Sequence, residues 1–520
     1  MDLLLPVSEK LIPSLREISR DTHRRETERS LATDILTVYA ADQPDVLVDL
    51  LADAEPFQFR KIYDVIEEHR DRFLVLGRAE LKKRLNEDAS EDEKEVLGHR
   101  QANIAIALLK LGEEEQIWDL LIHSPDPRAR SNFIHWLSPL NGDPQVLIRR
   151  LLDNDKKDDK TIRIALLLTL GEFSESQLPG VERARLFEAI KDIYEFDPDA
   201  GLHAAAEWLL KQWNEDQSIQ IMKDRLCVNE QQLRSQMLKD ERQWYINKQG
   251  QTFVILNVDE FQMGSPLSES GRRPNEARHR RHIGRKWAIA SKELTKGEYR
   301  RFLEANSNVV RIDIEQFSKT NDSPQVNLNW YDAARYCNWL SQTEGLPEDQ
   351  WCYEPNVAGE YAEGMRAAPN FLERTGYRLP TEAEWEFACR AGAVTSRYYG
   401  ESEDLLIKYA WFAGNTPKQF AAQLTGLLKP NDFGLFDTLG NVSEWCHDAF
   451  GEYPINATGE ATADVGDTKA VQKNIHRVLR GGSYILGESS IRSAYRLTYQ
   501  PEMEDTDFGF RPARTYPSAR

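Results

Sequence analysis

The sequence lacks any long apolar run. None of its 520 residues fall in a stretch that approaches the ~20 uninterrupted apolar residues of a membrane-spanning helix. The apolar start of MDLLLPVSEKLIPSLREISR is interrupted by Glu9, Lys10 and Arg16, and no small-residue cleavage site follows it. We therefore expect no secretory signal and no membrane insertion, and a cytoplasmic location.

Cysteine is scarce, and its spacing is unpaired. The five cysteines are Cys227, Cys337, Cys352, Cys389 and Cys446. An odd number without paired spacing predicts buried, reduced thiols rather than a disulfide framework, and there is no C-x-x-C or His/Cys cluster to suggest zinc. The segment from Arg477 to Arg520 contains no cysteine at all.

An excess of positive charge is also missing. The formal net charge is −19 and the pI is about 5.2, which makes a general attraction to nucleic acid or anionic membranes unfavourable. The basic stretch RRPNEARHRRHIGRK lacks the interleaved aromatics of a nucleic-acid patch, so it favours a solvated strand edge that offsets local negative charge. We expect no nucleic-acid partner.

The sequence divides into two parts that differ in composition and in hydrophobic pattern. Residues 1–215 carry successive apolar-periodic segments that begin about 30 to 40 residues apart, the interval of helical-hairpin solenoids, and predict a HEAT-like α-helical repeat domain. Such a stack offers an extended surface for a partner, although a plain helical spacer fits the pattern equally well. Residues 216–250 read as a helical linker.

From residue 251 onwards, glycine, proline and aromatic residues become frequent and short strand-like runs such as FVILNV and RHIGRKWAIA appear. NWYDAARYCNWLS predicts an amphipathic helix with Ala333, Tyr336, Cys337 and Leu340 on one face. RLPTEAEWEFACRAG predicts a helix that begins with a capping box of Thr381 and Glu384.

Seven motifs occur in order in this half: FQMGSP, ASKELTKGEYRRFL, PQVNLNWYDAARYCNWLS, GYRLPTEAEWEFACRAG, NDFGLFDTLGNVSEWCHD, RVLRGGSY and FGFRPAR. Together they resemble the formylglycine-generating, or sulfatase-modifying-factor, family. The resemblance implies an α+β chain whose residues 251–516 adopt a variant C-type lectin-like fold with little regular secondary structure. The chain also resembles planctomycete-type bacterial proteins that place a Ser/Thr kinase ahead of helical repeats, but it contains no kinase motif.

The turn in DTLGNVSEW is a candidate metal site. Asp437 and Glu444 bracket a glycine turn that can aim oxygen donors at one point, as calcium prefers. The resemblance implies a structural calcium ion held by the side chains of Asp437 and Glu444 and the carbonyls of Gly440 and Val442. The alternative is a turn in which Glu444 forms a salt bridge.

Formylglycine formation, as the resemblance implies it, uses oxygen and copper held by two cysteine thiolates just after the R-G-G-S frame. The corresponding positions here are Leu486 and Ile491, so we expect no copper and favour a protein that is not an enzyme. An oxidase with atypical ligands is the alternative, and it requires distant thiols such as Cys389 and Cys446 to converge. The iron-dependent sulfoxide synthases of the same superfamily need an H-x-x-x-H-x-E element, which the helical half lacks.

The segment between the glycine pair and the last arginines is rich in tyrosine and small polar residues, a composition typical of evolved binding surfaces. We expect it to hold a peptide or protein ligand in a non-catalytic binding or scaffold protein. The alternatives are a loop layer without a ligand, a regulatory module of a Ser/Thr kinase system, or a retroelement-diversified variable protein. The candidate ligand-binding residues are Tyr484, Ile485, Leu486, Glu488, Ser489, Ser490, Arg492, Tyr495, Leu497 and Tyr499.

Overall fold

The computed structural model describes residues 8–21, 23–86, 88–153, 159–237, 241–307, 309, 313–416, 421–453 and 460–516. The chain forms two compact units, the first comprising residues 1–186 with 399–401, and the second residues 187–398 with 402–520. None of the helices in the described ranges is long and apolar enough to cross a membrane.

The N-terminal part of the chain is helical, as predicted. Its helices are α1 (Ser8–Arg20), α2 (Glu26–Tyr39), α3 (Pro44–Ala52), α4 (Pro56–Ile66), α5 (Arg70–Leu81), α6 (Glu91–Lys110), α7 (Arg128–Trp136), α8 (Pro144–Leu152), α9 (Lys160–Leu170), α10 (Gly180–Phe196), α11 (Ala200–Gln212), α12 (Asp216–Leu226) and α13 (Glu230–Met237). The first unit packs around α6, in which every residue from Gln101 to Leu109 is buried. The HEAT-like repeat itself stays a prediction.

The first unit ends at Leu186, inside α10, so α11 lies in the second unit although the predicted helical domain spans residues 1–215. Helices α12 and α13, which fall in the predicted linker 216–250, lie in the second unit as well. Contacts that α11 makes with the rest of the second unit account for this division. Trp208 of α11 donates a hydrogen bond from Nε1 to the carbonyl of Leu427 at 3.2 Å, and its ring lies under the Lys429 ammonium. Helical periodicity does not reveal such partners.

The rest of the second unit contains three helices and a set of mostly short strands. The helices are α14 (Lys296–Ala305), α15 (Trp330–Thr343) and α16 (Glu382–Arg390). The strands are β1 (Trp244–Ile246), β2 (Thr252–Met263), β3 (His279–Ala290), β4 (Tyr353–Glu354), β5 (Arg366–Ala367), β6 (Tyr377–Arg378), β7 (Ser443–Ala449), β8 (Thr462–Ala463), β9 (Arg477–Arg480), β10 (Arg496–Tyr499), β11 (Phe508–Gly509) and β12 (Ala513–Thr515).

These strands form one larger and two smaller sheets. The first has the order β1-β2-β3-β12-β6, with β8 added beside β3, and the second has the order β10-β9-β7-β11. A third sheet pairs β4 with β5. The mixture of helices with short strands and long connections is the α+β architecture that the sequence predicts.

Two local predictions for helices of this unit are confirmed. The predicted face of α15, formed by Ala333, Tyr336, Cys337 and Leu340, is completely buried. The capping box of α16 is present in both directions, with Glu384 N donating to Thr381 Oγ1 at 3.2 Å and Thr381 N donating to Glu384 Oε2 at 2.9 Å.

The basic stretch forms β3, but it is not a sheet edge. β3 pairs with β2 along most of its length and on its other side with β12 and β8. Its arginines still offset negative charge, since Arg281 and Arg285 both pair with Asp464. The expectation of an edge strand is therefore wrong, because the pairing strands β8 and β12 arrive from far along the chain.

Helix α16 carries three buried glutamates, and each is paired with arginine. Glu382 accepts from Arg496 at 2.6 and 2.9 Å. Glu384 accepts from Arg378 at 2.6 and 2.7 Å and from Arg285 at 2.8 Å. Glu386 pairs with Arg390 and with Arg480. Because buried charges are tolerated only when paired and hydrogen-bonded, these pairs fix several segments of the unit to one helix.

Burial alone would raise the pKa of Glu384, but the charges of Arg285 and Arg378 lower it to about 2. A Glu384→Gln variant leaves Arg378 without a counter-charge and leaves Arg285 with Asp464 alone, and removing one partner of a buried pair destabilises by about 3 to 5 kcal/mol. We expect a loss of this size in urea unfolding followed by tryptophan fluorescence, which reports mainly on the second unit. Since the folded pKa lies below the unfolded value, the stabilisation is complete above about pH 4.5 and lost as pH falls towards 2.

The control is Glu354→Gln, which removes an exposed pair with Arg366 and should change stability by less than about 1 kcal/mol. Equal losses in the two variants would contradict a structural role of the α16 glutamates.

Candidate functional site

The R-G-G-S frame is a strand pair with a long loop between its strands. β9 and β10 are antiparallel, and Arg480 lies opposite Arg496. The chain leaves β9 through Gly481 and Gly482, whose φ angles of 92° and 73° disfavour any side chain. A Cβ on Gly482 would also lie 2.9 Å from the carbonyl oxygen of Ser490. The glycine pair therefore lets the loop fold back on itself.

The arginines of the frame point inward and hold the loop backbone. Arg480 pairs with Glu386 and donates to the carbonyls of Ser493, Ala494 and Tyr495 at 2.7 to 2.9 Å. The frame arginines contact main-chain oxygens and buried carboxylates. They therefore determine the path of the loop backbone and not the identity of its side chains.

Arg492 ties the loop to a distant segment. It forms ion pairs with Glu269 and Glu276, and its Nη2 donates to the Gly271 carbonyl at 2.8 Å. A Cβ on Gly271 would lie 3.2 Å from Cβ of Ser489, which shows how closely the 266–271 loop approaches the 488–492 segment.

Four of the ten predicted ligand-binding residues are enclosed and require correction. Tyr484, Ser490, Arg492 and Tyr495 are buried. Tyr484 donates its hydroxyl to the Thr506 carbonyl at 3.1 Å, and the Tyr495 ring lies under the Arg273 guanidinium. The composition of the segment could not separate them from surface residues, because tyrosine and serine serve in either place.

The other predicted residues fall into two groups. Leu497 and Tyr499 are partly buried and pack against the hydrophobic core, with the Tyr499 ring 4.9 Å from that of Phe508. Ile485, Leu486, Glu488 and Ser489 form what we call the 485–489 loop, in which the Ile485 side chain is 43% exposed.

Two neighbouring segments extend the surface of this loop. In the 266–271 loop, Leu267 is 89% exposed. In the 394–397 segment, Arg397 donates from Nη2 to the Glu488 carbonyl at 3.2 Å, and Val394 is exposed. Neither Leu267 nor Val394 was a predicted site residue, since an apolar side chain in a loop carries no signal of its neighbours.

The positions of the family's cysteine pair are apolar in this chain. Ile491 is completely buried against Gly482, and Leu486 accepts a backbone hydrogen bond from Ala413. Neither side chain can hold a soft metal ion.

The two thiols that the oxidase alternative requires, Cys389 and Cys446, contact different groups. Cys389 Sγ lies 3.5 Å from the Thr438 carbonyl and 3.6 Å from Ser493 Oγ, whereas Cys446 Sγ lies 3.9 Å from the Glu444 carbonyl. Burial raises the pKa of both thiols. All five cysteines are free, and no cysteine in the described ranges shares a group of three His, Cys, Asp or Glu ligand atoms within 4.8 Å.

The DTLGNVSEW turn shows the salt bridge that was the alternative to calcium. Arg511 donates from Nη2 to Glu444 Oε1 at 2.6 Å and from Nε to Oε2 at 2.7 Å, and Trp385 Nε1 donates to Oε2 at 2.8 Å. Both carboxylate oxygens are therefore engaged, and a guanidinium lies where a metal ion would have to approach. The residues present do not fit a calcium ion held by the Glu444 side chain.

The remaining predicted donors are few. Asp437 Oδ2 accepts from Gly426 N at 2.6 Å, while the buried Oδ1 has no hydrogen-bond partner within the described residues. Asp437 Oδ1 and the carbonyls of Gly440 and Val442 together provide three oxygens, whereas calcium takes six to eight. Calcium binding at this turn stays a prediction.

A second buried carboxylate, missed in the sequence, supports the turn. Glu293 accepts from the Asn441 side chain at 2.7 Å and from Val442 N at 3.1 Å. Burial, followed by the charge of Asp437, raises the pKa of Glu293 well above its usual range. Glu293 is far from the turn in sequence, and no local pattern connects the two.

The fold and these motifs define a chain of the formylglycine-generating type. The sulfatase-modifying factor enzyme 1-like domain family matches residues 243–516, which is more than half of the chain. The chain belongs to this family.

Similar proteins carry different names. The chain is 34% identical over 165 residues to Serine/threonine-protein kinase pkn1 of Chlamydia pneumoniae, covering 31% of this chain and 25% of that one. It is 30% identical over 204 residues to the formylglycine-generating enzyme of Streptomyces coelicolor, covering 36% and 52%. The chain thus spans a quarter to about half the length of these relatives.

Among solved structures, Treponema denticola variable protein 1 is 26% identical with a TM-score of 0.42, covering 51% of this chain and 95% of that one. PvdO from Pseudomonas aeruginosa is 24% identical with a TM-score of 0.41, covering 52% and 96%.

If the Arg511–Glu444 pair rather than a bound ion stabilises the turn, EGTA should leave the melting temperature of the purified protein within about 1 °C of its starting value. Glu444→Gln should lower it by several degrees, because Arg511 then stays buried without a counter-charge. An ion present at 100 times its Kd would contribute about 2.7 kcal/mol. Stoichiometric calcium in the purified protein, together with a marked loss of stability in EGTA, would contradict this account.

Proposed function

We propose that this chain is a non-catalytic binding protein that uses the formylglycine-generating fold to present the 485–489 loop to a peptide or protein ligand. The observation that carries the proposal is the arginine frame, which fixes the loop backbone while Leu486 and Ile491 stand where the family's thiols would be. A frame without thiolates retains a rigid surface and lacks the soft-ligand site for copper.

The chemistry of the surface favours a ligand with an apolar anchor. Ile485 and Leu267 present exposed apolar side chains, and Glu488 and Ser489 are exposed polar residues of the 485–489 loop. Rigid loops reduce the conformational entropy that binding would otherwise remove, which favours affinity. A peptide or protein with an aliphatic or aromatic side chain flanked by hydrogen-bond donors matches this arrangement.

The same proposal includes a second protein partner and a location in the cell. The helices of the first unit would dock that partner, as stacked helical repeats do in other proteins. Three relatives named as serine/threonine-protein kinases pkn1 support an association with a Ser/Thr kinase system. Such a role places the protein in the cytoplasm.

The ligand surface is tested by a photo-crosslinking amino acid placed at Ile485 of the full chain in the native host. We expect defined adducts at this position that a second change, Leu267→Asp, abolishes. The matched control carries the same crosslinker at Val357, a fully exposed apolar residue in a turn of the same unit. The same set of adducts from both positions, or adducts unaffected by Leu267→Asp, would contradict the proposed surface.

A further inference from the structure

A polar cavity of about 340 Å³ lies within the second unit, away from the 485–489 loop. Its wall is built by α11 and α12, the turn before β2, the segment that joins β3 to α14, and Thr425. Three lysines line it: Lys211 and Lys223 from the helices, and Lys292 from the segment that follows β3.

Two of these ammonium groups share one carboxylate. Lys292 pairs with Glu207, and Lys211 Nζ lies 3.8 Å from the same oxygen, Oε1. Lys211 Nζ is also 3.4 Å from the Thr425 carbonyl. A Cβ on Gly426 would lie 3.3 Å from Nζ of Lys292 and 3.4 Å from Nζ of Lys211, so both ammonium groups border the same glycine.

The third lysine has no carboxylate partner. Lys223 approaches the turn at Gly250, where a Cβ would lie 3.8 Å from its Cε. Across the described ranges its ammonium forms no ion pair within 4.0 Å. Lys223 is partly buried and lines the cavity.

The other carboxylates of the wall form no ion pair with the three lysines within the described residues. Glu298 accepts from Thr295 N at 2.9 Å as part of the α14 capping box, and Glu293 is bonded to Asn441 and Val442. Asp216 and Asp322 are exposed, as is Arg300, and Arg301 donates to the Gln249 carbonyl at 2.6 Å. Within the described residues, Glu207 is the one carboxylate in ion-pair contact with these lysines, and the charge of Glu298 acts on Lys223 from farther away.

The pKa values of the lysines agree with a local surplus of positive charge. Burial, followed by the charge of Lys292, lowers the pKa of Lys211 to about 8 and also lowers the pKa of Lys223. A bound anion would relieve both effects. The surplus is local, because the whole chain has a formal net charge of −19.

We propose that this lysine cluster binds a small molecule through a compact dianionic group of the phosphate type. Lysine ammonium groups bind phosphate as point charges. Two of the three ammonium groups share Glu207 and Lys223 forms no ion pair within the described residues, so the cluster presents positive charge to a dianion. The volume is at the lower end of the range for small-molecule sites, about 300 to 1,000 Å³, which admits a phosphate with a short organic group. The site is separate from the proposed ligand surface, and its failure would leave that proposal untouched.

The test is a titration of the full chain with inorganic phosphate at constant ionic strength, with chloride as the reference anion, read as the shift in melting temperature and as heat by calorimetry. We expect saturable binding by the wild type and at least tenfold weaker binding by Lys223→Gln and Lys211→Gln. Both substitutions keep the Lys292–Glu207 pair, and melting in chloride checks that the variants fold. The matched control is Lys473→Gln, an exposed lysine of the same unit, which should bind as the wild type does.

Absence of saturable phosphate binding, or binding that both lysine variants retain, would overturn the proposal. A phosphoserine peptide serves as a second probe. If it binds at least tenfold more tightly than inorganic phosphate, the ligand is a phosphoprotein and the assignment to a small molecule is wrong.

Discussion

The pairing of arginine with the buried glutamates of α16 is the constraint on which the second unit depends. Glu382, Glu384 and Glu386 anchor arginines that come from β3, β6, β9, β10 and α16 itself. A buried carboxylate without its partner is strongly unfavourable, so each pair also determines where its segment must lie. A domain with short strands and long connections can hold a single structure in this way, because ion pairs replace part of the order that long sheets would supply.

The same constraint explains why the loop within the frame can change its chemistry. Arg480 and Arg492 bind carbonyl groups and distant glutamates, so the backbone between them keeps its path whatever many of its side chains are. Leucine and isoleucine at the positions of the family's thiols are accommodated, with Ile491 becoming part of the core. In the function proposed above, the loop presents a rigid surface with exposed apolar and polar groups in place of a site for a soft metal ion.

Local patterns predicted the helices, the main strands and the capping box of α16, since periodicity and capping act within a few residues. The family motifs predicted the fold of the second half. The sequence did not predict the long-range ion pairs, because the two residues of each pair are far apart in the chain. Examples are Arg492 with Glu276, Glu444 with Arg511, and Lys292 with Glu207. For this reason the predicted binding face included buried residues, and the lysine cavity had no sequence signal.

The most direct test of the central claim is copper stoichiometry combined with oxygen uptake on a cysteine-containing sulfatase-type peptide. The account predicts no tightly bound copper and no peptide-dependent oxygen consumption when copper is supplied, because the frame holds apolar side chains and the buried thiols are protonated. One copper ion per chain, with oxygen uptake that Cys389→Ser or Cys446→Ser abolishes, would show that thiolates converge after all and would contradict the non-catalytic assignment.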